Sequence, residues 1–140
     1  MAYTMATTLR RRHHETVEAV RAALGEQGFG ILTEIDVAAT LKDKLDVDVE
    51  PQLILGACRP SLAYEAITAD PSIAAVLPCN VVVRSLDEST TVVEALDPDA
   101  MMGLTGSDAL EPVAADARRR LATALAALDE EHRWTSTRPR

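Results

Sequence analysis

The feature that most constrains the fold is a pair of valine-rich segments joined by a short polar turn. Residues 79–84 (CNVVVR) and 91–96 (TVVEAL) each have the length and composition of a strand, and the turn LDEST separates them. A connection this short joins antiparallel neighbours, because parallel strands need a long crossover. The pattern therefore predicts a β-hairpin and disfavours a doubly wound parallel sheet.

Three further strands are predicted before this hairpin. Residues 2–9 are rich in threonine and lie just before a charged run, which indicates an edge strand. Phe29–Ile35 alternates between two faces, as strands do. Gln52–Cys58 (QLILGAC) is a continuous apolar run of strand length between two prolines.

Helical spacing fills most of the chain between these strands. An apolar stripe of Val17, Val20 and Leu24 follows the sequence RRRHH, and Gly28 is placed to end that helix. Asp36 is placed to cap a short helix over Val37–Leu45. The other predicted segments are a helix opened by Pro60, a helical turn over Ser72–Leu77, a loop with at most one helical turn over DPDAMMGLTGSD, and a long helix from about Ala109 to His132.

This order of elements predicts a two-layer α+β sandwich. A mainly antiparallel sheet of five strands would pack on two long helices, in a β-α-β(4)-α arrangement with short helices inserted between strands. At 140 residues, without repeats or low-complexity linkers, the chain is expected to form a single domain over 1–140. Its core would span about 2–132, with a polar tail at 133–140.

Charge and hydropathy narrow the classes of partner. The formal net charge is −8, which disfavours nucleic acid and anionic membrane surfaces. No apolar run is long enough to cross a bilayer, and the first residues do not resemble a secretory signal. These features predict a cytoplasmic protein whose two cysteines are free thiols.

Both cysteines lie at predicted strand ends beside a proline. Cys58 ends one strand just before the helix opened by Pro60, and Cys79 begins the next strand after Pro78. They could form a thiol pair or half of a soft-metal site, provided that a helix N-terminus or a cation lowers a thiol pKa. The alternative, which is the commoner role of buried free cysteines, is that they are small core residues. Their spacing matches neither a zinc ribbon nor a thioredoxin motif.

Four polar residues are further candidates for the same site. Glu34 and Asp36 end a strand and could act as a carboxylate pair for acid–base chemistry or a hard metal. The alternative is that Asp36 only caps the next helix, while Glu34 pairs with Lys42 or Lys44. Asn80 and Glu65 could join the cysteines, because Glu65 lies on the helix between them.

The run from GFGILTEIDV through the LGAC-then-proline turn to LPCNVVV resembles the DUF302 domain, a family of uncharacterised function. The resemblance covers roughly residues 13–102 and includes the stretch Asp97–Met102. It implies a compact β-α-β(4)-α fold similar to that of the TATA-box-binding protein, a prokaryotic source and a homodimer, but it implies no activity. Arg59 departs from it, standing where Asn is common.

Three functions remain open from the sequence. The favoured one is a homodimeric module that binds a small ligand, a metal or a redox partner near Cys58 and Cys79. A structural or regulatory homodimer without chemistry is the second, and a thiol-dependent enzyme using Cys58 is the third. The common phosphate-, nucleotide- and hydrolase-type motifs are absent from the sequence, so the cofactor stays unknown.

Overall fold

The computed structural model describes the backbone of residues 2–137 and the side chains of residues 2–129. It contains a five-stranded antiparallel sheet. The strands are β1 (Thr4–Leu9), β2 (Gly30–Asp36), β3 (Gln52–Cys58), β4 (Cys79–Asp87) and β5 (Thr90–Leu96). Their spatial order is β1-β5-β4-β3-β2, so β4 is central and the first two strands of the chain form the edges. The predicted α+β architecture is confirmed, and every strand pair is antiparallel.

Helices connect and cover the strands. They are α1 (His13–Glu26), α2 (Val37–Leu45), α3 (Pro60–Ala69), α4 (Pro98–Thr105) and α5 (Glu111–Thr137), with short 3₁₀ segments at Pro71–Val76 and Asp108–Leu110. α1 ends where predicted, because Gly28 adopts a left-handed φ of 84° that glycine tolerates without strain. α2 starts as predicted, because the Asp36 side chain accepts a hydrogen bond from Ala39 N at 2.9 Å.

The core lies between one face of the sheet and the helices α1 and α5. Along β4 the buried residues alternate with accessible ones, which shows that the sheet buries one face and leaves the other open. The largest fully buried apolar side chains of this core come from β1, β3, β4, β5, α1 and α5: Leu9, Leu55, Val81, Val83, Val93, Val20, Leu121 and Leu128. The fold is therefore two-layered, as the sequence predicts.

Most predicted strands differ from the structure by one to three residues at an end, and two predictions for helices differ by more. The stretch predicted as a loop contains the two-turn helix α4, which has a complete set of end signals. Asp97 accepts a hydrogen bond from Asp99 N, Pro98 occupies the first turn, and Gly106 ends the helix with a left-handed φ of 62°. The final helix extends to Thr137 rather than ending at His132. The rest of the predicted polar tail, 138–140, lies outside the described residues.

Hydropathy of the helices gives one further result. Within the described residues, none of the helices combines the length and the apolar character that crossing a membrane requires.

Candidate functional site

The junction between β3 and α3 places Cys58. Cys58 is the last residue of β3, and α3 begins two residues later with Pro60. Arg59 between them is extended, with φ −99° and ψ 109°, so the chain leaves the sheet and turns directly into the helix. Pro60 suits this position because the first turn of a helix does not need its missing N–H group. Cys58 is half-buried.

The start of β4 places Cys79 beside it. The 3₁₀ segment Pro71–Val76 and Pro78 lead the chain back to the sheet, and Cys79 begins β4 directly opposite Ala57 of β3. Since Ala57 is the neighbour of Cys58, the two thiols lie at the same end of adjacent strands. Both are free, and Cys79 is buried. The structure therefore brings the two predicted cysteines together.

Both cysteines line one apolar cavity of about 50 Å³. The cavity lies between the ends of β3 and β4 and the helices α3, α4 and α5. Its other main walls are apolar: Phe29, Ala57, Leu62, Ala63, Ala66, Leu77, Pro98, Met101, Val113 and Ala117. A volume of this size admits a small group and is well below that of pockets for drug-sized ligands, which are about 300–1,000 Å³.

Arg59 supplies the positive charge at this cavity. Its side chain also lines the space, and it is held in place by two hydrogen bonds, from Nε to Gln27 O at 3.3 Å and from the guanidinium to Ser61 Oγ at 2.6 Å. A Cβ built on Gly28 would lie 2.9 Å from Arg59 Nε, so the absence of a side chain at Gly28 gives Arg59 its room. Arg59, which stands where Asn is common in the family that the sequence resembles, thus lies at the cavity.

The thiol of Cys79 titrates above its ordinary range. Burial raises its pKa, and the negative charge of a Cys58 thiolate raises it further. The second cause requires the two sulfurs to be close enough to interact electrostatically. The lowered thiol pKa that the thiol-pair hypothesis requires is therefore not found at Cys79, because burial acts in the opposite direction. Cys79 is protonated at neutral pH unless a cation takes the place of its proton.

Asn80 and Glu65 lie near this site without lining the cavity. Asn80 follows Cys79 on β4, opposite Gly56, and its side chain is exposed on the open face of the sheet. Glu65 is exposed on α3. Neither side chain therefore contributes to the cavity lining.

Glu34 and Asp36 lie on β2, away from the cavity that the cysteines line. They face Leu55 and Leu53 of β3 in the strand register, which are three and five residues before Cys58. Because a strand rises about 3.3 Å per residue, these positions lie about 10 Å and about 16 Å from Cys58 along β3, respectively. Glu34 accepts a hydrogen bond from Arg21 of α1, so its predicted pairing with Lys42 or Lys44 is wrong. Asp36 caps α2.

α4, which the sequence pattern predicted as a loop, contributes a wall of the cavity. Pro98 and Met101 line the cavity, and Arg118 of α5 holds the start of α4 through contacts to Asp97 at 3.2 Å and Asp99 at 3.3 Å. The signal that could have found this helix is the Asp-Pro pair, in which Asp caps and Pro opens a helix. A second small cavity, of about 20 Å³, is lined by both Met101 and Met102.

Metal-binding and general-base groups are sparse here. Within residues 2–129, the His, Cys, Asp and Glu side chains do not form a group of three or more that could hold a metal ion. Neither His13 nor His14 lines the cavity, and His13 Nε2 is 2.8 Å from Val83 O. The described side chains thus give Cys58 no histidine base inside this cavity.

Comparisons with known proteins agree with one another. The family described as "Domain of unknown function DUF302" matches residues 5–128. The chain is similar to the crystal structure of an uncharacterized conserved DUF302 protein from Bacillus stearothermophilus, with 28% sequence identity and a TM-score of 0.82 over 90% of this chain and 98% of that chain. No match was found among curated proteins. Because the family match spans most of the chain, the protein belongs to the DUF302 family.

Proposed function

We propose that the protein is a binding module for a small ligand, and that its site is the apolar cavity beside Cys58 and Cys79. The observation that carries this proposal is that both thiols line one cavity together with Arg59. An apolar space with a few polar or reactive groups at one end is typical of ligand sites. The free state of both thiols suits a reducing compartment such as the cytoplasm.

The size of the cavity limits the ligand. About 50 Å³ corresponds to a few atoms, so the site would hold an ion or the end of a larger molecule that extends past Arg59 into solvent. A thiol enzyme using Cys58 is less well supported, because such a nucleophile needs a neighbouring base and neither His13 nor His14 lines the cavity.

Xenon is a suitable probe, because it enters small apolar cavities without needing a polar partner. Under xenon pressure, the methyl NMR signals of Leu62, Met101 and Val113 should shift in the wild-type protein. Ala63→Leu places a larger side chain in the cavity and should abolish these shifts. Ala69→Leu makes the same change at an exposed position of α3 and should preserve them. Absent xenon shifts in the wild type, or equal shifts in Ala63→Leu, would contradict the proposal.

A structural homodimer is the second candidate, and the exposed surface of β2 and α2 favours it. All residues of α2 are described, and none of them is buried. Leu32, Ile35 and Leu45 are 64%, 49% and 65% exposed, and Val47 and Val49 after α2 are also exposed. We call these five residues the β2–α2 patch. An apolar surface of this kind is typical of an interface.

A second copy of the chain fits this patch because β2 is an edge strand. Its outer edge has backbone N–H and C=O groups with no neighbouring strand in the sheet. Two identical edge strands related by a two-fold axis perpendicular to the sheet are antiparallel, so they can hydrogen-bond to each other without changing the fold. The two sheets would then form one continuous sheet.

The oligomeric state tests this candidate. Sedimentation velocity should show a dimer for the wild type and a monomer for Ile35→Lys, which puts a charge into the patch. Leu104→Lys changes another exposed leucine, on α4, and should remain a dimer. A monomeric wild type at high micromolar concentration, or a dimeric Ile35→Lys, would contradict it.

A further inference from the structure

A third sulfur-containing residue lines the cavity beside the cysteines. Met101 of α4 lines it together with Cys58 and Cys79, so three residues that carry two thiols and one thioether border the same small space. The remaining main walls are aliphatic or aromatic carbon. A set of sulfur donors in an apolar setting has a definite chemical preference, because soft thiolate and thioether ligands select soft cations.

We propose that this cavity is a binding site for one Cu(I) ion, with the Sγ atoms of Cys58 and Cys79 and the Sδ atom of Met101 as its ligands. The proposal deepens the proposed function and rests on it, because the ion would occupy the same cavity. Cu(I) accepts linear and trigonal coordination, so two or three sulfurs are enough. Zn²⁺ prefers a tetrahedral set of thiolate, imidazole or carboxylate ligands, and Mg²⁺ and Ca²⁺ require oxygen.

The charges at the cavity are suited to such an ion. On binding, each thiol loses its proton to solvent, two thiolate–copper bonds form, the thioether donates a lone pair, and the copper keeps its oxidation state. Two thiolates and one Cu⁺ have a combined charge of −1, and the Arg59 guanidinium at the rim has a charge of +1. The ion would also remove the repulsion between the thiolates of Cys58 and Cys79.

The packing of α4 orients the methionine. The Asp97 side chain caps α4, and Arg118 of α5 contacts both Asp97 and Asp99, so the first turn of α4 is tied to α5. Met101, one turn further, lines the cysteine cavity. Its neighbour Met102 lines the smaller second cavity and does not line the cysteine cavity. The chain thus offers a matched control for the proposed thioether ligand.

The test is an anaerobic titration with Cu(I), competed by a bathocuproine chelator that reports free Cu(I). The wild type should bind one Cu(I) per chain. Met101→Leu conserves volume but removes the sulfur, so it should weaken binding at least about tenfold. Met102→Leu should bind like the wild type. Cys58→Ser and Cys79→Ser should each lose stoichiometric binding, and X-ray absorption should show three sulfur neighbours in the wild type and two in Met101→Leu.

Several outcomes would overturn the site. Absence of stoichiometric uptake by the wild type would overturn it, and so would equal affinity of Met101→Leu and the wild type or tighter binding of Zn²⁺ than of Cu(I). These results are distinguishable from a failure of the proposed function. If xenon enters the cavity while Cu(I) does not bind, the copper site is wrong and the binding cavity stands; if xenon also stays out, both are wrong.

Discussion

Thr33 occupies the space that a side chain at Gly56 would need. A Cβ built on Gly56 would lie 2.1 Å from Thr33 Oγ1 and 2.8 Å from Pro78 Cγ. Thr33 and Gly56 are partners in the β2–β3 register, next to the irregularity between Ile31 and Thr33. This glycine lets the edge strand approach β3 just before Cys58, so the site depends on it indirectly.

Gly56→Ala should therefore destabilise the protein. We expect a loss of about 1–3 kcal/mol in urea unfolding, because a new methyl group must displace its neighbours in a packed region. Gly25→Ala is the matched control, since its Cβ would meet nothing within 4 Å. It should stabilise α1 by about 0.5–1 kcal/mol. Adding Thr33→Ala to Gly56→Ala should recover part of the loss, and a fully additive double variant would show that the steric account is wrong.

Removal of the cap of α4 should cost more than removal of a nearby ion pair. Asp97→Ala loses the hydrogen bond from Asp99 N and the contact to Arg118, so we expect a destabilisation of about 1 kcal/mol. Asp99→Ala loses only the exposed ion pair with Arg118 and should change stability by less than about 0.5 kcal/mol. Chemical denaturation of both variants gives the comparison, and equal losses would contradict the capping role.

Stability should fall on the alkaline side because of Cys79. Its pKa in the folded protein is raised above the ordinary 9.0 by burial and by Cys58. The contribution of the Cys79 thiol to stability is complete below that ordinary value. It is lost as pH rises from the ordinary value through the raised one, because the unfolded chain releases the proton first. Urea unfolding from neutral to alkaline pH should show this decline in the wild type and a weaker one in Cys79→Ala.

Cys58→Ala separates the two causes of this shift. It removes the neighbouring thiolate and leaves the burial, which is the larger cause, so thiolate absorbance should still place the pKa of Cys79 above its ordinary value. Titration of Cys79 at or below that value in this variant would contradict the role assigned to burial.

Acid sensitivity should come in part from Glu94. The hydroxyl of Thr4 donates to Glu94 Oε2 at 2.7 Å, and this bond, aided by Arg84, lowers the pKa of the carboxyl below the ordinary 4.5. Its stabilisation is present above that ordinary value and is lost as pH falls below it. Thr4→Val should cost about 1 kcal/mol at neutral pH and progressively less in acid.

Thr8→Val is the control for this effect, because Thr8 is an exposed residue of the same strand. Its stability should differ little from the wild type at any pH. A constant difference between Thr4→Val and the wild type across the acid range would show that the hydrogen bond to Glu94 is not the cause.

Local patterns in the sequence were sufficient to predict most elements of this fold. The apolar run Gln52–Cys58 is a strand with those bounds, and Asp36 caps a helix over Val37–Leu45, because strand composition and capping are local properties. The helix after Asp97 was missed although it has local signals, since its apolar pattern is only two turns long. Short helices depend on packing more than on pattern.

Long-range relationships in the site could not be predicted. The sequence placed Cys58 and Cys79 at strand ends, but only the register of β3 against β4 shows that they are adjacent. The partner of Glu34 is Arg21, from a helix that packs beside β2, and no spacing rule identifies it. The contribution of Met101 to the cavity likewise requires the docking of α4 on α5.

The strand order also bears on how the chain acquires its fold. Strands β2 to β5 pair with neighbours that are consecutive in sequence, whereas β1 pairs only with β5, with Thr4 opposite Leu96. Contacts between such distant residues form slowly, because a long loop must close first. During synthesis β1 leaves the ribosome before the other four strands of this sheet, yet its partner β5 is the last of them to follow. Until the two strands pair, β5 has an open edge, which is where a nascent chain is prone to aggregate.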